Sequence, residues 1–165
     1  SLAVVAVVVV SSCAPTAPQT TADIVDETPQ TSSPKPQAVF PDGTTFDLEL
    51  ALTAQEVSTG LSFRPSLPED GGMLFVFDQV RQPSFWMKNM MFALDLLYLN
   101  ETGTVVHVEA NAPPCAADPC PTYPSSEPAI AVLEVNAGMA AAHGIEKGSV
   151  IQFERVPGYP VPAEG

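Results

Sequence analysis

Three charged side chains stand in apolar surroundings where each needs a physical reason. Lys88 follows Phe85-Trp86-Met87 and precedes Asn89, and it is one of only six basic residues in the chain. Asp95 lies inside the run Leu94-Asp-Leu-Leu-Tyr-Leu99, on the same strand face as Leu97 and Leu99. Glu134 poses the same question within Val132-Leu-Glu-Val135. Burying a lone carboxylate costs several kcal/mol, so each acid calls for a cation or hydrogen-bond donors. Arg64 and Lys88 are the nearest cations in sequence. Arg64, Trp86, Lys88, Asn89, Asp95 and Glu134 are therefore expected to converge on one polar cleft that holds a ligand. Two carboxylates with a cation could also do acid-base work, as in glycoside hydrolysis by Asp95 and Glu134 on a cell-wall or other polysaccharide. The plainer alternative is structural ion pairing at strand ends, or exposure on the outer side of a sheet.

Other reactive groups are weaker candidates. His107 lies on a strand with Val105, and His143 at a helix end; neither has a Ser or Cys partner at triad spacing, so both read as surface or capping residues. By residue type alone, Trp86 and the methionines read as core rather than as a ligand box. Cys115 and Cys120 flank Ala-Ala-Asp-Pro in a Pro-rich loop, and outside the cytoplasm a disulfide is their default. A zinc site would need two more ligands, and the spacing is not the Cys-x-x-Cys of redox motifs. No metal and no cofactor is expected, and no dinucleotide or phosphate loop is visible.

The bulk charge narrows the partners. Nineteen acids against six bases give a net charge of −13. Such a surface repels nucleic acid, which needs clustered Lys and Arg, and it repels anionic lipid faces. Membrane attachment therefore has to come from another source. Leu2–Val10 is an unbroken apolar run, shorter than the roughly 20 residues that span a bilayer but suited to the core of a secretory signal. Val10-Ser-Ser-Cys13 resembles a bacterial lipobox, so residues 1–12 are expected to be a signal whose start is missing, with Cys13 the lipidated residue. The partners expected are the membrane, through that lipid, and a small polar ligand or envelope component. Ala14–Ala38, rich in Pro, Thr and Ser, cannot bury enough surface to order itself and reads as a disordered tether. Residues 157–165 read as a second disordered tail.

Between them, residues 39–156 carry regular punctuation. Phe46, Leu48, Leu50 and Leu52 alternate with Asp47, Glu49 and Ala51, which predicts a half-buried strand. Thr53-Ala-Gln-Glu56 is a capping box, predicting a helix from Ala54 to about Leu61. Further strands are predicted at Met73–Phe77, Phe92–Leu99, Thr104–Glu109, Ala129–Val135 and Ser149–Arg155, with a turn at Asn100–Gly103 and a short helix at Gly138–His143. Strands without regular helix alternation predict an α+β, β-rich single domain: a curled antiparallel or mixed sheet, barrel-like, with two short helices.

The same residues carry a family resemblance. Gly60-Leu61 with Arg64, Gly72-Met-Leu-Phe-Val-Phe77, Phe85-Trp-Met-Lys-Asn89, Leu94-Asp95 and Val132-Leu-Glu134 with Gly138 resemble the DUF192 family over about Val39–Glu154. The resemblance implies a small β-rich domain, often exported, with no established activity. The chain departs from the pattern at Ser62, where Met is usual, at Met90-Met-Phe-Ala93 in place of a Thr-Leu-Ile-Pro type of run, and at Ser149, where Asp is usual.

Overall fold

The computed structural model of the protein describes residues 34–160. Alternation builds the first long strand. In β2 (Thr45–Ala51), Phe46 and Leu48 turn inward while their neighbours stay accessible, as the two-residue period of a pleat requires. The chain then enters α1 (Ala54–Thr59) through the predicted capping box: the Glu56 amide donates to Thr53 Oγ1 at 3.3 Å, and the Thr53 amide donates to Glu56 Oε2 at 2.9 Å. None of the α1 residues is buried. The helix touches the core only through the partly buried Val57 and otherwise faces solvent.

β3 (Gly71–Arg81) returns parallel to β2, so β2–α1–β3 is a crossover unit. Every other pairing in the large sheet is antiparallel. With β1 (Gln37–Val39), β5 (Leu94–Leu99), β6 (Val105–Ala112), β8 (Ala129–Asn136) and β9 (Gln152–Glu154), it forms seven strands in the order β6-β5-β8-β3-β2-β1-β9. The two edges approach each other just before β9. There Thr104 bridges to Val150, the Val105 amide donates to the Ser149 carbonyl at 2.8 Å, and the Ile151 amide donates to the Gly103 carbonyl at 2.9 Å. Gly103 lies at φ 81°, and a Cβ there would sit 2.5 Å from the Ile151 carbonyl oxygen, so only glycine permits this approach. The result is a half-barrel.

Both faces of the central strands are covered, which is why all six residues of β5 are buried. One face gathers Phe46, Leu48, Leu74, Leu97, Leu133 and Ile151 around α2 (Met139–Ala142). The opposite face gathers Met73, Phe75, Leu96, Tyr98 and Val132 under Leu61, Leu67 and Met87. A small ribbon of β4 (Ser84–Trp86) and β7 (Thr122–Pro124) lies on this second face, held there by the Tyr98 hydroxyl, which donates to the Tyr123 carbonyl. At about 1.5–3 kcal/mol per buried large side chain, these two layers supply the folding drive.

The structure adjusts several expected boundaries. Gln37–Val39 is a strand with Ala38 fully buried, so Gln37 and Ala38, expected to lie in a disordered tether, belong to the fold. At the other end Tyr159 is 3% exposed, packs on Phe153 and donates to the Asn100 carbonyl at 2.9 Å, so the fold continues past Pro157. β3 runs past Phe77 to Arg81, and β4 and β7 were not foreseen because three-residue ribbons carry no period. Residues 1–33, with the expected signal, Cys13 and most of the tether, lie outside the described residues, as do 161–165. Among the described residues no helix is long and apolar enough to cross a membrane.

Candidate functional site

The pairing register decides where each carboxylate points. Asp95 faces Val135 across the β5–β8 ladder, whereas Glu134 faces Leu96 there and Met73 on β3. Paired residues share a sheet face and neighbours in sequence take opposite ones. Asp95 therefore belongs to the face of Leu97 and Leu133, and Glu134 to the face of Phe75 and Tyr98. The expected Asp95–Glu134 acid-base pair does not form, which removes the glycoside-hydrolysis reading. Asp95, 0% exposed, instead accepts the Ala140 amide in the first turn of α2 and the Asn111 amide of a β6 bulge, each at 2.8 Å. It ties a helix start to a bulge and reaches no cavity.

The two cations also find partners that sequence proximity did not suggest. Arg64 makes a two-pronged contact with Glu49 of β2, Nη1 to Oε1 at 2.5 Å and Nη2 to Oε2 at 2.8 Å. That guanidinium lowers the Glu49 pKa, and the carboxylate in turn raises that of Arg64. Lys88 Nζ lies 3.1 Å from Asp118 Oδ1 and 5.8 Å from the centre of the Trp86 ring. Neither cation meets Asp95 or Glu134.

What does converge is a cleft between two loops. Residues 60–63 after α1 form one wall, and Trp86 at the end of β4 with the Lys88–Met90 segment forms the other. They are stitched by the Phe63 amide, which donates to the Asn89 carbonyl at 2.9 Å, and by the Ser62 hydroxyl, which donates to the Lys88 carbonyl at 3.5 Å. A cavity of about 190 Å³ opens between them, bordered by Ser58, Ser62, Phe63, Trp86, Lys88 and Asn89. Beside it, a smaller recess of about 40 Å³ reaches Glu134 past Phe75, Phe85, Trp86 and Met90. On the far side of Trp86 a groove of about 290 Å³ continues along α1. Trp86 is 56% exposed and Phe63 73%, while Met87 is buried, so the tryptophan is a cleft residue and not a core one.

Glu134 is the unusual group here. It is 5% exposed, and no described side chain or amide bonds its carboxyl group. Burial alone pushes its pKa up to about 8, because desolvation disfavours the charged form and no donor offsets it. Near neutral pH it is a protonated acid that can donate and accept, at the end of an aromatic recess.

Four of the six expected residues (Trp86, Lys88, Asn89 and Glu134) thus border one connected cleft, and Arg64 and Asp95 do not. Phe63, Ser58 and Ser62 were missed as cleft residues; their signals were a position at or just past the end of a capped helix and, for Ser62, its departure from the family pattern. Met90, at the place of the usual Thr, lines the recess with Glu134 and brings no hydroxyl to it. Cys115 and Cys120 form a disulfide with Cα atoms 5.5 Å apart. Their loop carries Asp118, and the Cys115 amide donates to the Met87 carbonyl at 3.0 Å, so the loop buttresses the Trp86–Lys88 wall. These two cysteines and Asp118 form a cluster tight enough for a metal, but the disulfide takes both thiols. His143 Nδ1 lies 2.7 Å from Asp42 Oδ2, and His107 packs beside Tyr98. Neither histidine borders the cleft.

A DUF192 family profile, described as an uncharacterized ACR, matches residues 37–153. The chain belongs to the DUF192 family. Two solved structures share this DUF192 fold. A protein of unknown function from Novosphingobium aromaticivorans is 33% identical with a TM-score of 0.64, covering 71% of this chain and 82% of its own. A Sinorhizobium meliloti protein, named as a candidate transcription regulator, is 32% identical with a TM-score of 0.64, covering 72% of this chain and 91% of its own. No curated protein matches the chain.

Proposed function

We propose that this DUF192 protein is a non-enzymatic binding or accessory module that takes a small polar ligand in the Trp86–Glu134 cleft. The observation that carries this reading is Glu134 itself: a buried carboxyl group without a described partner, opening onto a recess beside an exposed tryptophan. Retaining such a group costs stability, and a bound ligand is what would offset that cost. Among the described residues the cleft holds no nucleophile with an adjacent base, which speaks against hydrolysis by a triad.

We further propose that the protein works outside the cytoplasm, held on a membrane by a lipid on Cys13. The apolar run before Val10-Ser-Ser-Cys13 supports this, and so does the Cys115–Cys120 disulfide, which suits an oxidising compartment. The acyl chains would contribute about 0.8 kcal/mol per buried methylene.

Thermal-shift measurements with sugars, cell-wall fragments, organic acids and amines test the cleft. A ligand should raise the melting temperature of the wild-type chain, as binding to the native state must, and the rise should vanish in Trp86→Ala. If no ligand acts, and Trp86→Ala and Lys88→Ala change stability alone, the cleft is structural. Incorporation of labelled lipid that persists in Cys13→Ala would overturn the anchor.

A further inference from the structure

The recess at Glu134 is narrower than the cleft that leads to it, and this selects among ligands. About 40 Å³ admits one or two water-sized groups and excludes a sugar ring. Its lining is aromatic and sulfurous: Phe75 and Phe85 meet edge-on with centroids 5.0 Å apart, and Trp86 and Met90 complete the walls. The adjoining 190 Å³ can hold a chain of several atoms. Aromatic faces attract cations, and a buried carboxyl group without a partner lacks a counter-ion. Lys88 does not supply it, because its ammonium is engaged by Asp118. The acidic surface, at net charge −13, favours the approach of a cation.

We propose that the recess is a site for a primary alkylammonium group, with Glu134 as its counter-ion, Trp86 and Phe85 as its aromatic walls, and the alkyl chain lying in the cavity between Phe63 and Trp86. The inference rests on the cleft being a ligand site and names the chemistry of that ligand. Two sources share this chemistry: a free aliphatic amine and the lysyl side chain of a peptide. Binding draws on the ionised form of Glu134, so it releases a proton where the free site is protonated. The other titratable and charged groups on this sheet face are Asp47 and Glu49 of β2, engaged by Lys35 and Arg64, Arg81 of β3 over the Phe77 ring, Tyr98 of β5, and His107 and Glu109 of β6, with Lys88 and Asp118 at the rim. Tyr98 is held neutral by burial, with its hydroxyl given to Tyr123.

The test follows Trp86, the single tryptophan of the chain, by fluorescence. Butylamine, cadaverine and a doubly capped lysine are titrated into the wild-type chain, with butanol and maltotriose as neutral probes. Saturable binding of the amines, tightening about tenfold per pH unit from pH 6 towards 8 as the competent fraction grows, supports the proposal. At least a tenfold loss with a flattened pH profile in Glu134→Gln supports it as well. The carboxyl carbon of Glu134, followed by NMR in the wild-type chain, avoids reliance on that variant. Its titration midpoint should fall by at least one unit with saturating butylamine, and an unchanged midpoint overturns the proposal. Binding of capped lysine assigns the site to peptides, whereas binding of the free amines alone assigns it to small amines. Equal binding of butanol and butylamine, or binding of maltotriose alone, overturns the amine while leaving the cleft a ligand site. No response to any probe, with none in the wider ligand screen, overturns both.

Discussion

The amide of Phe63 donates to the carbonyl of Asn89 at 2.9 Å, and both residues occupy the left-handed region, at φ 63° and 61°. The two walls of the cleft therefore meet at their two most constrained backbone positions. Asn adopts this conformation at little cost, but for a bulky ring it costs about 1–2 kcal/mol. Phe63 spends that strain on a side chain left 73% exposed, which folding alone does not require.

Phe63→Gly should accordingly raise stability by about 0.5–1 kcal/mol, since the strain relieved exceeds the backbone entropy lost. Ligand-induced quenching of Trp86 should weaken in the same variant. Urea unfolding and fluorescence titration read the two effects separately; a variant both less stable and equally responsive would show that the ring serves the fold.

Glu134 makes stability fall as pH rises. Its pKa is about 8 in the folded chain and near 4.5 in an unfolded one, so between these values the unfolded state gives up its proton first. The native state binds more protons over that window, and stability is full below about pH 4.5 and declines until about pH 8. The decline should reach at most about 5 kcal/mol. Glu134→Gln should flatten this limb in denaturant titrations from pH 5 to 9.

At the acid end the sign reverses. The hydrogen bond from His143 holds Asp42 down at about 2, so its contribution is complete above about pH 4 and disappears as pH falls towards 2. Asp42→Asn should reduce the loss of stability over this range, measured by thermal unfolding at pH 2 to 5.

Asp95→Ala should be among the most damaging single changes, at about 3–5 kcal/mol, because it strands the buried amide of Ala140 and the part-buried amide of Asn111. Asp95→Asn, which retains one acceptor oxygen, should cost roughly half as much. Hydrogen exchange should locate the loss at the start of α2 and at the β6 bulge. Ligand binding in the cleft should survive in the folded fraction, since Asp95 lies on the other sheet face.

Cys115→Ser should cost about 2 kcal/mol or less, since the loop it closes is short. Its larger effect should fall on the cleft: without the disulfide, Asp118 loses its fixed place opposite Lys88. A weaker ligand response with a melting temperature lowered by at most about 10 °C is the expected pattern, read by titration and thermal unfolding with and without reductant.

Much of this protein is legible in its amino-acid sequence. The alternation in Thr45–Ala51, the capping box at Thr53–Glu56 and the turn at Asn100–Gly103 are local patterns, and local hydrogen bonding and pleat geometry realise them where expected. The Phe-Trp-Met-Lys-Asn run singled out the wall of the cleft because a cation beside large apolar residues is unusual at any position. The ribbon of β4 and β7 was not legible, because its three-residue strands pair only through contacts distant in sequence.

The roles of the charged residues belong to the tertiary structure. Asp95 and Glu134 each sit in a run of aliphatic residues, and nothing local distinguishes them. Register does: pairing Asp95 with Val135 and Glu134 with Leu96 sends one to the amides of α2 and the β6 bulge, and the other to an aromatic-lined recess. Arg64 and Lys88 were equally free to serve either acid until the fold placed Glu49 and Asp118 within their reach. Composition and spacing determine that buried charges exist and need partners. Which charge is left without one depends on which face of which strand it occupies, and a slip of one residue between β5 and β8 would put both acids on the same face.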